Sequence, residues 1–142
     1  MKHNLFILYG AANTGKTTTF NELLKNACDQ FLDKLVYFER SENCADFLAV
    51  FQNKNVKVAL YSSGNNECVS HNLYALHHQN CNFIFGTSRT RGGSCQAVNN
   101  YADLFYSGDD SIKWHEKESA TDRDNNKMAK ELFSTLKKLL IK

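Results

Sequence analysis

The chain has 142 residues, of which 42% are hydrophobic and 23% charged, and a formal net charge of +2. That length suits one domain with one core, and that composition excludes disordered, collagen-like and membrane-spanning classes. A near-neutral balance argues against bulk electrostatic binding of nucleic acid, and five scattered cysteines with no C-x-x-C pair and no signal-like leader point to reduced thiols and a cytoplasmic setting.

Residues 4–9 (NLFILY) are a short apolar run that stops at a glycine, which suits a strand buried on both faces. From Lys16, the apolar positions Phe20, Leu23, Leu24, Ala27 and Phe31 recur at spacings of three and four, so one stripe of a helix faces the core. Residues 35–38 predict a second strand. Ala45, Phe47, Leu48 and Phe51 predict a helix after a capping region at 41–43, and residues 56–61 predict a third strand. Val69, Leu73 and Leu76 mark the next helix and residues 82–85 the fourth strand. Ser94 is placed to cap a helix carrying Ala97, Val98, Tyr101 and Leu104, and residues 112–115 read as a weaker fifth strand. The closing helix starts near Thr121, with Asp124 in position for a capping box, and buries Met128, Leu132, Leu136, Leu139 and Leu140. This alternation predicts an α/β fold: a single three-layer α/β/α domain around a mainly parallel sheet of about five strands. The loops after Tyr9, Phe38, Tyr61 and Phe85 then share one rim, where ligands of such sheets bind.

The first of those loops carries a motif. Gly10-Ala11-Ala12-Asn13-Thr14-Gly15-Lys16-Thr17 fits G-x-x-x-x-G-K-[ST] between a predicted buried strand and an amphipathic helix, and it resembles the Walker A motif of P-loop NTPases. Glycines at both ends let successive N–H groups turn inward around a phosphate, and the helix beginning at Lys16 adds its unpaired amides and the positive end of its dipole. The resemblance implies a Mg²⁺-bound nucleoside triphosphate, ATP by default. It puts Lys16 on the β- and γ-phosphates, Thr17 on Mg²⁺ and Thr18 beside the α-phosphate.

Most members of that family place an acid at the end of a neighbouring strand. Here the third strand runs into Ser62-Ser63-Gly64-Asn65, with no carboxylate. Ser63 is left to hold a water of the Mg²⁺ shell, and a hydroxyl is a poor base, so fast hydrolysis is not expected. Glu39, at the end of the second strand, is the nearest substitute. It is placed to orient an acceptor hydroxyl or a water or to reach the metal; the plain alternative is a solvated pair with Arg40. Glu67 fits the first turn of a helix, where negative charge is favourable in any case. Residues 87–94 (TSRTRGGS) follow the fourth strand. Arg89 and Arg91 suit a second phosphate or the charge developing at the γ-phosphate, against the alternative of a solvated basic loop. Thr87 or Ser88 resembles the sensor position of P-loop ATPases.

Other signals read as structure. Cys68, His71, His77, His78 and Cys81 lack the paired knuckle of a zinc site and suit core thiols and surface histidines. Lys127, Lys130, Lys137, Lys138 and Lys142 form a polar helix side, and Trp114 and Phe105 suit the core. The first functional expectation is a nucleotide-kinase-like phosphotransferase. Lys16 and Mg²⁺ would hold the donor, Arg89 and Arg91 the acceptor or the transferring phosphate, and Glu39 would position a small phosphate acceptor. The second is a slow NTPase acting as a switch or assembly protein, with a protein partner or a second copy in a homo-oligomer supplying the missing group. A nucleic-acid-stimulated ATPase ranks third, for want of a concentrated basic face, and no membrane partner is expected.

Overall fold

In the computed structural model the described residues are 3–11, 14–42, 46–63, 66–90, 93–106 and 108–141. The opening apolar run forms strand β1, Leu5–Tyr9, and the amphipathic stripe after it forms helix α1, Lys16–Phe31. A 3-10 turn, Leu32–Lys34, leads to β2, Leu35–Arg40, and then come β3, Phe47–Asn53, and β4, Val56–Ser62. Helix α2, Asn66–His78, precedes β5, Phe83–Ser88, and α3, Gly93–Phe105. The chain closes with β6, Ile112–Glu116, and α4, Asp122–Leu140.

The sheet is six-stranded and mixed, in the order β2-β3-β4-β5-β1-β6. β4, β5, β1 and β6 run parallel, whereas β3 is antiparallel to both its neighbours, β2 and β4. Side chains alternate between the faces as the pleat requires. Phe6, Leu8, Phe47, Ala49, Phe51, Leu60 and Phe85 pack against α1 and α4 on one face. Leu5, Ile7, Leu48, Val50, Ala59, Tyr61 and Ile84 pack against α2 and α3 on the other.

The helix expected around residues 45–51 is instead the strand β3, which is why the sheet has six strands and is mixed, with one antiparallel strand beside the parallel run of four. The run Phe47-Leu48-Ala49-Val50-Phe51 is buried on both faces, and an unbroken apolar run of that length fits a buried strand as well as a helical stripe. Lys54, with φ of 56°, makes the turn that folds β3 back on β4, pairing Phe47 with Ser62 through Asn53 with Val56. Smaller corrections follow the same burial logic. Leu104 and Phe105 are 65% and 40% exposed on the outer side of α3, so neither is core. Ser94 lies inside the first turn of α3 and its hydroxyl accepts from the Arg89 amide. The cap of α4 is as expected: Thr121 Oγ1 accepts from Asp124 N at 3.3 Å. The capping position Asn43 lies outside the described residues.

Candidate functional site

β1 lies between β5 and β6, so the loop after Tyr9 emerges with a strand end on each side. On the β5 side Gly10 N donates to Ser88 O at 3.3 Å; on the β6 side Lys117 N donates to Tyr9 O at 2.8 Å. The glycines answer to this crowding. A Cβ on Gly10 would sit 2.3 Å from Lys117 O, and one on Gly15 would sit 2.3 Å from Asn125 Oδ1 and 3.2 Å from Ala120 Cα. Gly15 also has φ of +85°, the left-handed conformation that side chains resist.

Gly15 caps α1 with no side-chain hydrogen bond, and the first turn holds no acid. The opening amides of a helix lack intrahelical partners and attract anions. Lys16 folds back across the loop, its Nζ donating to Gly10 O at 2.7 Å and Ala11 O at 2.8 Å. Thr14 Oγ1 also donates to Ala11 O, at 2.8 Å. Thr17 and Thr18 are exposed in the first turn of the helix, and Thr19 is buried, bonded to Gly15 O at 2.7 Å. Ala12 and Asn13 lie outside the described residues, as does Arg91.

Arg89 stands directly after β5, next to the residue that receives the Gly10 amide. Burial and then the Arg89 guanidinium hold the Lys16 ammonium below the ordinary lysine range. Among the described residues no carboxylate acts on Lys16 to offset them. A second cation thus lies near enough to Lys16 to act on it, beside a helix start whose cap makes no side-chain hydrogen bond, an arrangement that favours an anion with several negative oxygens.

The other sequence candidates sit farther along the rim. Glu39 is the last residue but one of β2, an edge strand, with β3, β4 and β5 between it and β1. Four strand spacings amount to about 19 Å. Its carboxylate accepts from Tyr37 Oη rather than pairing with Arg40, whose guanidinium donates to Asn21 Oδ1 at 2.9 Å. Ser63 follows β4, two spacings or about 10 Å from β1. It is buried; its Oγ accepts from Asn72 Nδ2 at 3.2 Å, and Thr87 Oγ1 bridges its backbone amide and carbonyl at 3.0 and 2.8 Å. Thr87 therefore ties the ends of β4 and β5 together. Ser88, whose carbonyl holds Gly10, is the nearer of the two sensor-like residues to the loop.

Two contributions escaped the sequence reading. The first is the segment from Lys117 to Thr121 with Asn125, which forms the far wall of the loop. Asn125 is buried, its Oδ1 accepting from Thr19 Oγ1 at 3.4 Å and its Nδ2 donating to Ala120 O at 3.4 Å. A polar residue standing in the stripe Asn125, Met128, Ala129, Leu132, Leu136 was the available signal. The second is Asp46, hidden by the mistaken helix. The turn into β3 brings its carboxylate to 3.5 Å from Ser62 Oγ, at the strand end where the sequence shows no acid. Asp46, Glu39, Ser62 and Ser63 line one groove of about 330 Å³ with His71 and Asn72, floored by Phe47 and Leu48. A second groove of about 330 Å³ lies on the β6 side, lined by Glu116, Glu118, Asp124 and Glu131 together with Lys117 and Lys127.

No family model, curated protein or solved structure matches the chain.

Proposed function

We infer that the chain binds the phosphates of a Mg²⁺-nucleoside triphosphate, ATP by default, in the loop from Gly10 to Thr17, as a P-loop NTPase-like domain. The observation that carries this reading is the left-handed Gly15 cap that opens α1 with no side-chain hydrogen bond and no acid in its first turn, with Lys16 folded across the loop onto Gly10 O and Ala11 O. Lys16 would exchange its two loop carbonyls for β- and γ-phosphate oxygens, and Arg89 would neutralise charge at the outer phosphate. Thr17 offers one hydroxyl to Mg²⁺, which fits an ion that arrives with the triphosphate and keeps several waters.

Of the two reaction readings, slow turnover in a nucleotide-dependent switch is the better supported. Glu39 lies about four strand spacings from the loop and the Ser63 hydroxyl is engaged by Asn72, so neither stands as a base or water holder beside Lys16. A kinase-like phosphotransferase stays the second reading, with the groove of Glu39, Asp46 and Ser63 as the place for an acceptor.

Titration calorimetry with Mg-ATP tests the binding. Lys16→Ala is expected to weaken it by about tenfold to a hundredfold, the cost of a charged hydrogen-bond donor. Affinity should also fall with rising pH earlier than an ordinary lysine would dictate, because the ammonium is lost from a lowered pKa. Equal affinity of Lys16→Ala and wild type would end the reading. A steady ATP turnover unchanged by any hydroxyl acceptor separates the switch from the phosphotransferase.

A further inference from the structure

We propose that Ser88 and Ser94 are positioning residues, which together clamp the backbone of Arg89 and so keep its guanidinium beside the phosphate loop. The inference rests on the phosphate reading of that loop and adds the residues that set the arginine. Arg89 is exposed, the first residue past β5, yet the two serines around it are 0% and 3% exposed. Serine is mostly a surface residue, and a buried hydroxyl has to find partners. Ser88 Oγ donates to Arg89 O at 2.9 Å, Arg89 N donates to Ser94 Oγ at 3.0 Å, and the two hydroxyl oxygens stand 3.4 Å apart. A hydroxyl has one proton to give. That of Ser88 goes to Arg89 O, so the proton between the two oxygens is that of Ser94. The bonds then close a ring: Ser94 to Ser88, Ser88 to the Arg89 carbonyl, and the Arg89 amide back to Ser94. Both backbone polar groups of Arg89 are taken up in it.

The ring is anchored on two sides. The Ser88 carbonyl receives the Gly10 amide at 3.3 Å, so the frame that holds Arg89 also holds the first residue of the phosphate loop. Ser94 belongs to the first turn of α3, whose Val98, Tyr101 and Ala102 are buried. Arg89 is thereby fixed to the loop and to the core at once, while its guanidinium makes no hydrogen bond or ion pair among the described residues. A solvated arginine has no use for a clamped backbone. One that must meet an anion does, because ordering it in advance lowers the entropy lost on binding. The charge of Arg89 already acts on Lys16 across the loop.

Titration calorimetry with Mg-ATP on single and double variants tests the clamp. Arg89→Ala is expected to weaken binding by about tenfold, the cost of a charged donor. Ser94→Ala and Ser88→Ala should each weaken it by about threefold to fivefold, the cost of a neutral hydrogen bond. The deciding measurement is Ser94→Ala in the Arg89→Ala background. The backbone clamp is still present there but has no guanidinium to place, so the second substitution should add nothing. An equal loss in both backgrounds means that the hydroxyls only brace the loop, and it overturns the proposal; so does a Ser94→Ala or an Arg89→Ala that binds like wild type. Each of these results leaves the phosphate reading standing, whereas a wild type that binds no Mg-ATP ends that reading and the clamp with it. Circular dichroism melts identify the folded variants, and Ser88→Ala carries the same test should Ser94→Ala fail to fold.

Discussion

The two flanks of the sheet solve opposite problems. Around β1, the strand ends are so close that three glycines are dictated by neighbours: Gly10 by the Lys117 carbonyl, Gly15 by Asn125, and Gly86 on β5 by the ring of Tyr61, 2.0 Å from where its Cβ would stand. Around β2 almost nothing is enclosed; from Val36 to Arg40 every residue is exposed. At the first flank backbone shape sets the conformation, so one added methyl group matters. At the second, nothing crowds the backbone, and single side-chain changes there should matter little.

The sharpest way to break this contrast is Gly15→Ala. It combines a left-handed backbone with an overlap at Asn125, and about 3 kcal/mol of stability should be lost in urea denaturation. A loss below about 1 kcal/mol would mean that the loop is looser than its contacts imply. A second effect comes from His115 on β6, whose Nε2 is buried without a hydrogen-bond partner among the described residues. Burial first and then the Lys113 charge depress its pKa, Glu131 acts the other way, and His3 adds the smallest further lowering. A depressed pKa means the unfolded chain takes up the proton first. Stability is therefore full above the ordinary histidine value near 6.5 and is lost as pH falls from there to the lowered value. Melting temperatures compared on either side of that value should show the loss, and His115→Gln should remove it. The smallest effect belongs to the open flank: Tyr37→Phe deletes an exposed hydroxyl bond to Glu39 and should move stability by no more than about 0.5 kcal/mol. A larger change would show the edge to be structured in its own right.

Much of this was legible in the residues, for identifiable reasons. The loop, its strand and its helix follow from a local motif and a 3.6-residue stripe, and the α4 cap from Thr121 and Asp124 three positions on. β3 was not legible, because five consecutive apolar residues carry no period, and strand and helix then differ only in what pairs with them. That one misreading displaced Glu39: with a helix between the second and third strands β2 joins the parallel rim near the loop, while with a hairpin it is carried to the far edge. It also concealed Asp46. The far wall at Lys117 and Asn125 depends on contacts more than a hundred residues apart in the chain, which no local pattern records.

That separation bears on how the protein is made. β1 precedes the other five strands in the chain, yet both strands that flank it, β5 and β6, come from beyond residue 82, and the carbonyl that shapes Gly10 belongs to residue 117. A nascent chain that has not yet delivered β6 and the start of α4 from the ribosome holds the whole glycine motif without its walls. Pairing at such sequence distance is slow to close, so the phosphate affinity proposed for this loop should emerge abruptly and late in synthesis, as a property of the finished sheet.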